Sequence, residues 1–142
     1  MSEKVYGICG TNKCKREVVP KGDELPKNWI YSFSAHKTDF TAGDNGTAYI
    51  TKNDVFGARA AYYTVDCLYR DDNYGTYVHI PVKTIAEEVS QSTEACAYSR
   101  IKQYDTAAGT TELYVSISKS LYNLISGNSA VRSVVFVCRR YK

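Results

Sequence analysis

Trp29-Ile-Tyr-Ser-Phe-Ser-Ala35 is the stretch on which the fold turns. Trp29, Tyr31 and Phe33 recur at every second position, with Ser32 and Ser34 between them. Side chains alternate across a strand, so this spacing puts the rings on one face and the serines on the other. Before Trp29 the chain is polar and broken by Gly7, Gly10, Pro20, Gly22 and Pro26, which predicts an extended arm over residues 1–28. After Trp29 the alternation keeps returning up to Lys142, so residues 29–142 are expected to form one β-rich domain.

Seven or so strand signals follow one another. Asp44-Asn45-Gly46 reads as a tight turn with positive φ, and Thr47–Thr51 resumes extended structure. Ala60–Tyr69 is long, β-branched and aromatic, as a central strand should be. Asp71-Asp72-Asn73-Tyr74-Gly75 predicts a hairpin turn into Thr76–Val82, with Val78, Ile80 and Val82 inward. Pro81 cannot donate to a ladder and marks an edge or a strand end there. Lys83–Ser92 reads as one helical turn or a loop. Glu94–Tyr104 and Glu112–Ser120 are strands, the second with Leu113, Val115 and Ile117 toward the core. Leu121–Ile125 is a short helix or a bent strand end, Gly127-Asn128 a turn, and Val131–Arg139 the last strand. The expected fold is all-β, an antiparallel two-sheet sandwich of jelly-roll type with a leading arm.

A chain of 142 residues is long enough to support a core without metal or disulfides. Its net charge is +3, with six Lys/Arg against four Asp/Glu in the arm and twelve against eleven in the body. Neither part concentrates positive charge as a nucleic-acid surface does, so no nucleic-acid partner is expected. No stretch reads as a membrane span or a secretion signal, so no membrane partner is expected. Five cysteines, an odd number, stand at 9, 14, 67, 96 and 138, and the last three read as buried core filling in separate strands.

Signs of catalysis are sparse. His36 and His79 are the only histidines, and no nucleophile motif accompanies either. Glu87-Glu88 and Asp71-Asp72 are sequence neighbours, a poor arrangement for two carboxylates across a cleft. Cys9-x4-Cys14 has a thiolate-site spacing but no second pair, and no glycine-rich phosphate loop is present. No catalytic residue, cofactor or metal is therefore expected. Thirteen tyrosines are the unusual part of the composition. Tyrosine suits both strands and contact surfaces, and Tyr98, Tyr104, Tyr114 and Tyr122 are the candidates for a surface on which sugar rings stack.

The opening Val5-Tyr-Gly-Ile-Cys9-Gly-Thr-Asn-Lys-Cys14-Lys-Arg-Glu-Val-Val-Pro20 resembles the N-terminal segment of minor virion and fibre-like proteins of tailed phages and prophages of Clostridia. In those proteins a Tyr/Phe-Gly-x5-Lys-Cys-Lys-x-Glu-Val pattern leads through a polar connector to a variable β domain. The match covers roughly the first twenty residues, and the short connector here favours a compact module over an elongated fibre. The resemblance implies a non-enzymatic virion structural protein, a capsid decoration, head-fibre or tail-tip component assembled in the host cytoplasm. Lys13, Cys14, Lys15, Arg16, Glu17 and Val18 would form its anchoring run, capsid or tail proteins of the same particle its partners, and identical copies its assembly. Two other readings stay open: a module binding host-surface polysaccharide, and a phage-encoded counter-defence protein binding a host factor.

Overall fold

Val134, Phe136 and Cys138 alternate along the last strand and are almost fully buried, and they lie at the centre of the molecule. The computed structural model describes residues 30–53, 63–103 and 111–141. The arm, residues 1–28 with Lys13 to Val18, lies outside the described residues, as do Trp29 and Tyr104.

Among the described residues the strands are β1 (Ile30–Ala35), β2 (Thr41–Ala42), β3 (Ala48–Asn53), β4 (Tyr63–Asp71), β5 (Thr76–Ile80), β6 (Val82–Lys83), β7 (Ala97–Gln103), β8 (Thr111–Ile117) and β9 (Arg132–Arg140). They form a four-stranded sheet in the order β1-β9-β4-β5 and a five-stranded sheet in the order β2-β3-β8-β7-β6. Two short helices, α1 (Ala86–Ser90) and α2 (Lys119–Leu124), sit in the connections. The fold is an all-β two-sheet sandwich. Its roll-like character shows in the nesting: β1 pairs with β9, and β3 with β8.

The core lies between the sheets. Ala35, Val65, Cys67, Ile80, Val134, Phe136 and Cys138 come from one sheet, and Ala48, Ala97, Leu113, Val115 and Ile117 from the other. Full burial of a large apolar side chain stabilises by about 1.5–3 kcal/mol, so these alternating positions hold the layers together. Phe33 and Phe136 rings meet at 5.3 Å, and Lys52 Nζ lies 5.1 Å from the Phe33 centroid, closing one side of the sandwich. The Tyr63 hydroxyl, on β4, accepts a hydrogen bond from the Ile101 N–H of β7 at 2.9 Å and ties the sheets together.

One expectation fails at Pro81. Thr76–Val82 is not one strand: β5 ends at Ile80, and Val82 joins the opposite sheet beside Ala97. Ile80 is buried as expected, but Val78 and Val82 are exposed. The missing proline N–H ends the ladder there, and the chain crosses over. The β6–β7 pair is parallel, and parallel neighbours need a connection of about a dozen residues, commonly helical. Residues 84–96 supply it, with α1 inside.

Strand register also fixes which ends of the sandwich are which. Ile30 pairs with Arg139 and Tyr63 with Arg140, so the chain enters and leaves at one end. Ala35 pairs with Val134, and Asp71 with Arg132, at the other. The 72–75 hairpin, α2 and the 126–131 loop gather at that far end, where Lys37 and Thr38 N–H groups bond the Ser126 and Gly127 carbonyls at 2.9 Å.

Candidate binding surface

The outer face of the five-stranded sheet carries the aromatic residues. Even positions of β8 face outward because Leu113, Val115 and Ile117 face in. Tyr114 therefore stands outside, flanked in register by Thr51 of β3 and Arg100 of β7. Tyr49 and Tyr98 each pair with Ser116, one row along. Tyr49 and Tyr114 stack at 5.4 Å and 25°, while Tyr98 meets Tyr114 edge-on at 6.5 Å. The Arg100 guanidinium lies 4.8 Å from the Tyr114 centroid. Offset aromatic pairs and cation–π contacts each contribute about 0.5–1.5 kcal/mol. This layer covers the sheet, and burial pushes the Tyr114 hydroxyl above its ordinary pKa.

A cleft of about 480 Å³ opens beside this layer, between the 42–47 loop, Tyr49, Tyr114 and α1. The loop is held by its own backbone: Gly43 N–H donates to Thr47 O at 2.8 Å, and Thr47 N–H and Oγ1 both donate to Asp44 O. Asn45 and Gly46 adopt positive φ, as the Asp-Asn-Gly turn predicts. α1 is anchored by one residue, Val89, which is 1% exposed and turned to the sheet while Glu87 stays in water. Asp44, Asn45 and Glu87 line the opening, and none of their side chains is hydrogen-bonded within the described residues. No Lys or Arg lines it while Asp44 and Glu87 do, so nothing in its lining offsets the charge of an anion.

The sequence-predicted tyrosines separate. Tyr98 and Tyr114 share the outer face. Tyr122 sits on α2, edge-on to Phe40 at 6.4 Å with Lys37 Nζ 5.2 Å from its centroid. Both ring faces of Tyr114 are engaged from its flanking strands, so free ring surface belongs to Tyr49 and Tyr98. Tyr49, between Ala48 and Ile50, is a functional candidate that the sequence does not single out. Its partner is set by register across strands, which periodicity alone does not reveal.

The remaining candidates are dispersed. His79 lies on the outer face of the four-stranded sheet opposite Leu68, and His36 accepts or donates at Nδ1 with Thr38 Oγ1 at 2.9 Å. Glu87 and Glu88 are exposed, and Asp72 receives two hydrogen bonds from Arg70, at 2.7 and 2.8 Å. Cys67, Cys96 and Cys138 are buried free thiols, and burial pushes Cys67 up and Cys138 up to about 12. Among the described residues no group of three or more His, Cys, Asp or Glu is placed to hold a metal ion, and no helix is long and apolar enough to cross a membrane.

Compared with known proteins, the chain matches no family profile, no curated protein and no solved structure.

Proposed function

We propose that this chain is a non-enzymatic structural component of a tailed-phage particle, a capsid decoration, head-fibre or tail-tip protein, attached through residues 1–28 to neighbouring capsid or tail proteins. The observation that carries the reading is the polarity of the sandwich. The chain enters beside Arg139 at one end, while the 42–47 loop of the cleft and the 72–75 hairpin lie at the other. A tether at one end then leaves the opposite end free to face outward. Resemblance of the Lys13–Val18 run to phage virion segments supplies the context, and an extended arm can anchor by adding main-chain hydrogen bonds to a neighbour's sheet edge. Deleting residues 1–27 is expected to leave a folded sandwich absent from purified particles. A mass spectrum showing the truncated protein at normal particle levels overturns the anchoring role.

The cleft favours a second reading, a module binding host-surface polysaccharide. Tyr49 offers a ring to the apolar face of a sugar, and Asp44, Asn45 and Glu87 offer unbonded groups to its hydroxyls. On a glycan array the wild type is expected to retain a polymer that Tyr49→Ala and Glu87→Ala bind about tenfold more weakly, a loss of about 1.4 kcal/mol. Absence of binding to any polymer removes this reading and leaves the structural one standing.

A further inference from the structure

The cleft between the 42–47 loop and α1 is one-sided in its chemistry. Most of its side-chain donors are already spent. Thr47 Oγ1 donates to the Asp44 carbonyl at 2.6 Å, Ser90 Oγ donates to the Glu87 carbonyl at 3.1 Å, and the buried Ser116 hydroxyl bonds the Tyr114 phenol. What remains open on the side chains is mostly acceptor. Asp44 on the turn and Glu87 on α1 each bring a carboxylate, from different walls. An ionised carboxylate only accepts, and offers about four lone-pair sites. Neither has an ion-pair partner among the described residues. Arg100 is taken up over the Tyr114 ring and Lys119 carries its stem across Gly46, and neither lines the cleft. The side-chain donors left are the Asn45 amide and the Tyr49 hydroxyl. Tyr49 stacks one ring face on Tyr114 and keeps part of its surface in solvent.

We propose that the cleft takes a sugar residue bearing a free, protonated amino group, so that its polysaccharide is an amino-sugar polymer rather than a neutral or acidic one. The inference rests on the polysaccharide reading above and narrows it. An ammonium group, like that of lysine, carries three donors and no acceptor. It therefore fills the capacity that the side chains leave open, and its charge offsets the two carboxylates. A neutral sugar would take water from those carboxylates without repaying their charge. A charge-assisted N–H···O bond is also roughly twice as strong as a neutral one. Tyr49 serves the same ligand twice: its ring takes the apolar face of the sugar, and its negative π face attracts the cation. An acidic sugar meets two like charges here. An N-acetylated sugar loses the charge and two of the three donors.

The test is titration calorimetry of the purified full-length chain against three probes: a chitosan oligomer, the chitin oligomer of the same length, and putrescine. The two oligomers differ only in N-acetylation. The chitosan oligomer is expected to bind about tenfold more tightly than the chitin oligomer. Asp44→Asn and Glu87→Gln, whose exposed side chains bond nothing within the described residues, are each expected to shrink that preference severalfold with an unchanged circular dichroism spectrum. Glu88→Gln, next in sequence but outside the cleft lining, is expected to keep it. Equal binding of the two oligomers overturns the inference and leaves the polysaccharide reading standing. Putrescine bound as tightly as the chitosan oligomer overturns it in favour of a simple amine site. Equal losses in Glu87→Gln and Glu88→Gln overturn it in favour of diffuse charge attraction. With neither oligomer bound, the inference falls alone if the glycan array retains only polymers without amino groups, and falls together with the polysaccharide reading if the array retains none.

Discussion

The two sheets share one core but treat their surroundings in opposite ways. The five-stranded sheet is finished on the outside: Tyr49, Tyr98, Tyr114 and Arg100 cover its strands, α1 lies against it, and its end strands are two residues long. The four-stranded sheet has long central strands and longer ends, and among the described residues β5 pairs only with β4. Core packing therefore does not decide how a sheet meets its neighbours. That is set by edge length and by the residues on the outward face. In this molecule one sheet carries an aromatic outer layer beside a cleft, and the other ends among the described residues in strands of five and six residues.

The largest expected effect asks whether the two sheets are one cooperative unit. Phe136→Ala, in the four-stranded sheet, should cost about 3–5 kcal/mol, and Leu113→Ala, in the five-stranded sheet, about 2–5 kcal/mol. In urea both variants should shift a single common transition. Two separate transitions would break the comparison, because the sheets would then not share a core.

A smaller effect belongs to the four-stranded sheet, which holds Cys67 on β4 and Cys138 on β9. Burial raises both thiols, Cys138 to about 12 from an ordinary value of about 9. Above about pH 9 the unfolded chain sheds a thiol proton that the native state keeps, so unfolding becomes easier as pH rises. Stability should be insensitive to these groups below about pH 9. Above it, each thiol should remove up to about 1.4 kcal/mol per pH unit. Urea midpoints measured against pH would show it, and Cys138→Ala should make the alkaline slope shallower. A slope unchanged in that variant would mean that the thiol does not drive the loss.

The smallest effect is at the hairpin that leads into β5. The Arg70–Asp72 pair has good geometry, and its hydrogen bonds hold the Asp72 carboxyl below the usual carboxylate range. The pair is exposed, so solvent screening leaves it little weight. Arg70→Ala should leave the thermal midpoint unchanged within error. A clear drop would show that this hairpin depends on side-chain charge rather than on its backbone ladder.

Much of this fold was legible because its strands alternate cleanly. Tyr31 and Phe33 pack on the core, Leu113, Val115 and Ile117 are buried together, and Asp-Asn-Gly supplies two positive-φ residues. β4 is interior, between β9 and β5, as its β-branched and aromatic composition suggests. α1 and α2 were legible only as alternatives, since five and six residues are too few for a helical period to stand out. The route past Pro81 was not legible. A proline says that a ladder stops, but only tertiary packing decides where the chain goes next. The tyrosine layer was half legible for a related reason: alternation places Tyr98 and Tyr114 outside, whereas the Tyr49 stack depends on which strands become neighbours.

The position of β9 has a consequence for biosynthesis. It is the last of the described strands to be made, yet it lies between β1 and β4 and is the only described strand that joins them. While the ribosome is still translating it, β1 has no partner in its sheet and β4 has only its hairpin mate. The four-stranded layer therefore closes after synthesis of β9, through contacts about a hundred residues apart in sequence, a topology that folds slowly and exposes unpaired strands in the meantime. A ribosome stalled before Arg132 would hold a nascent chain with unsatisfied backbone, and such a fragment is a natural client for chaperones.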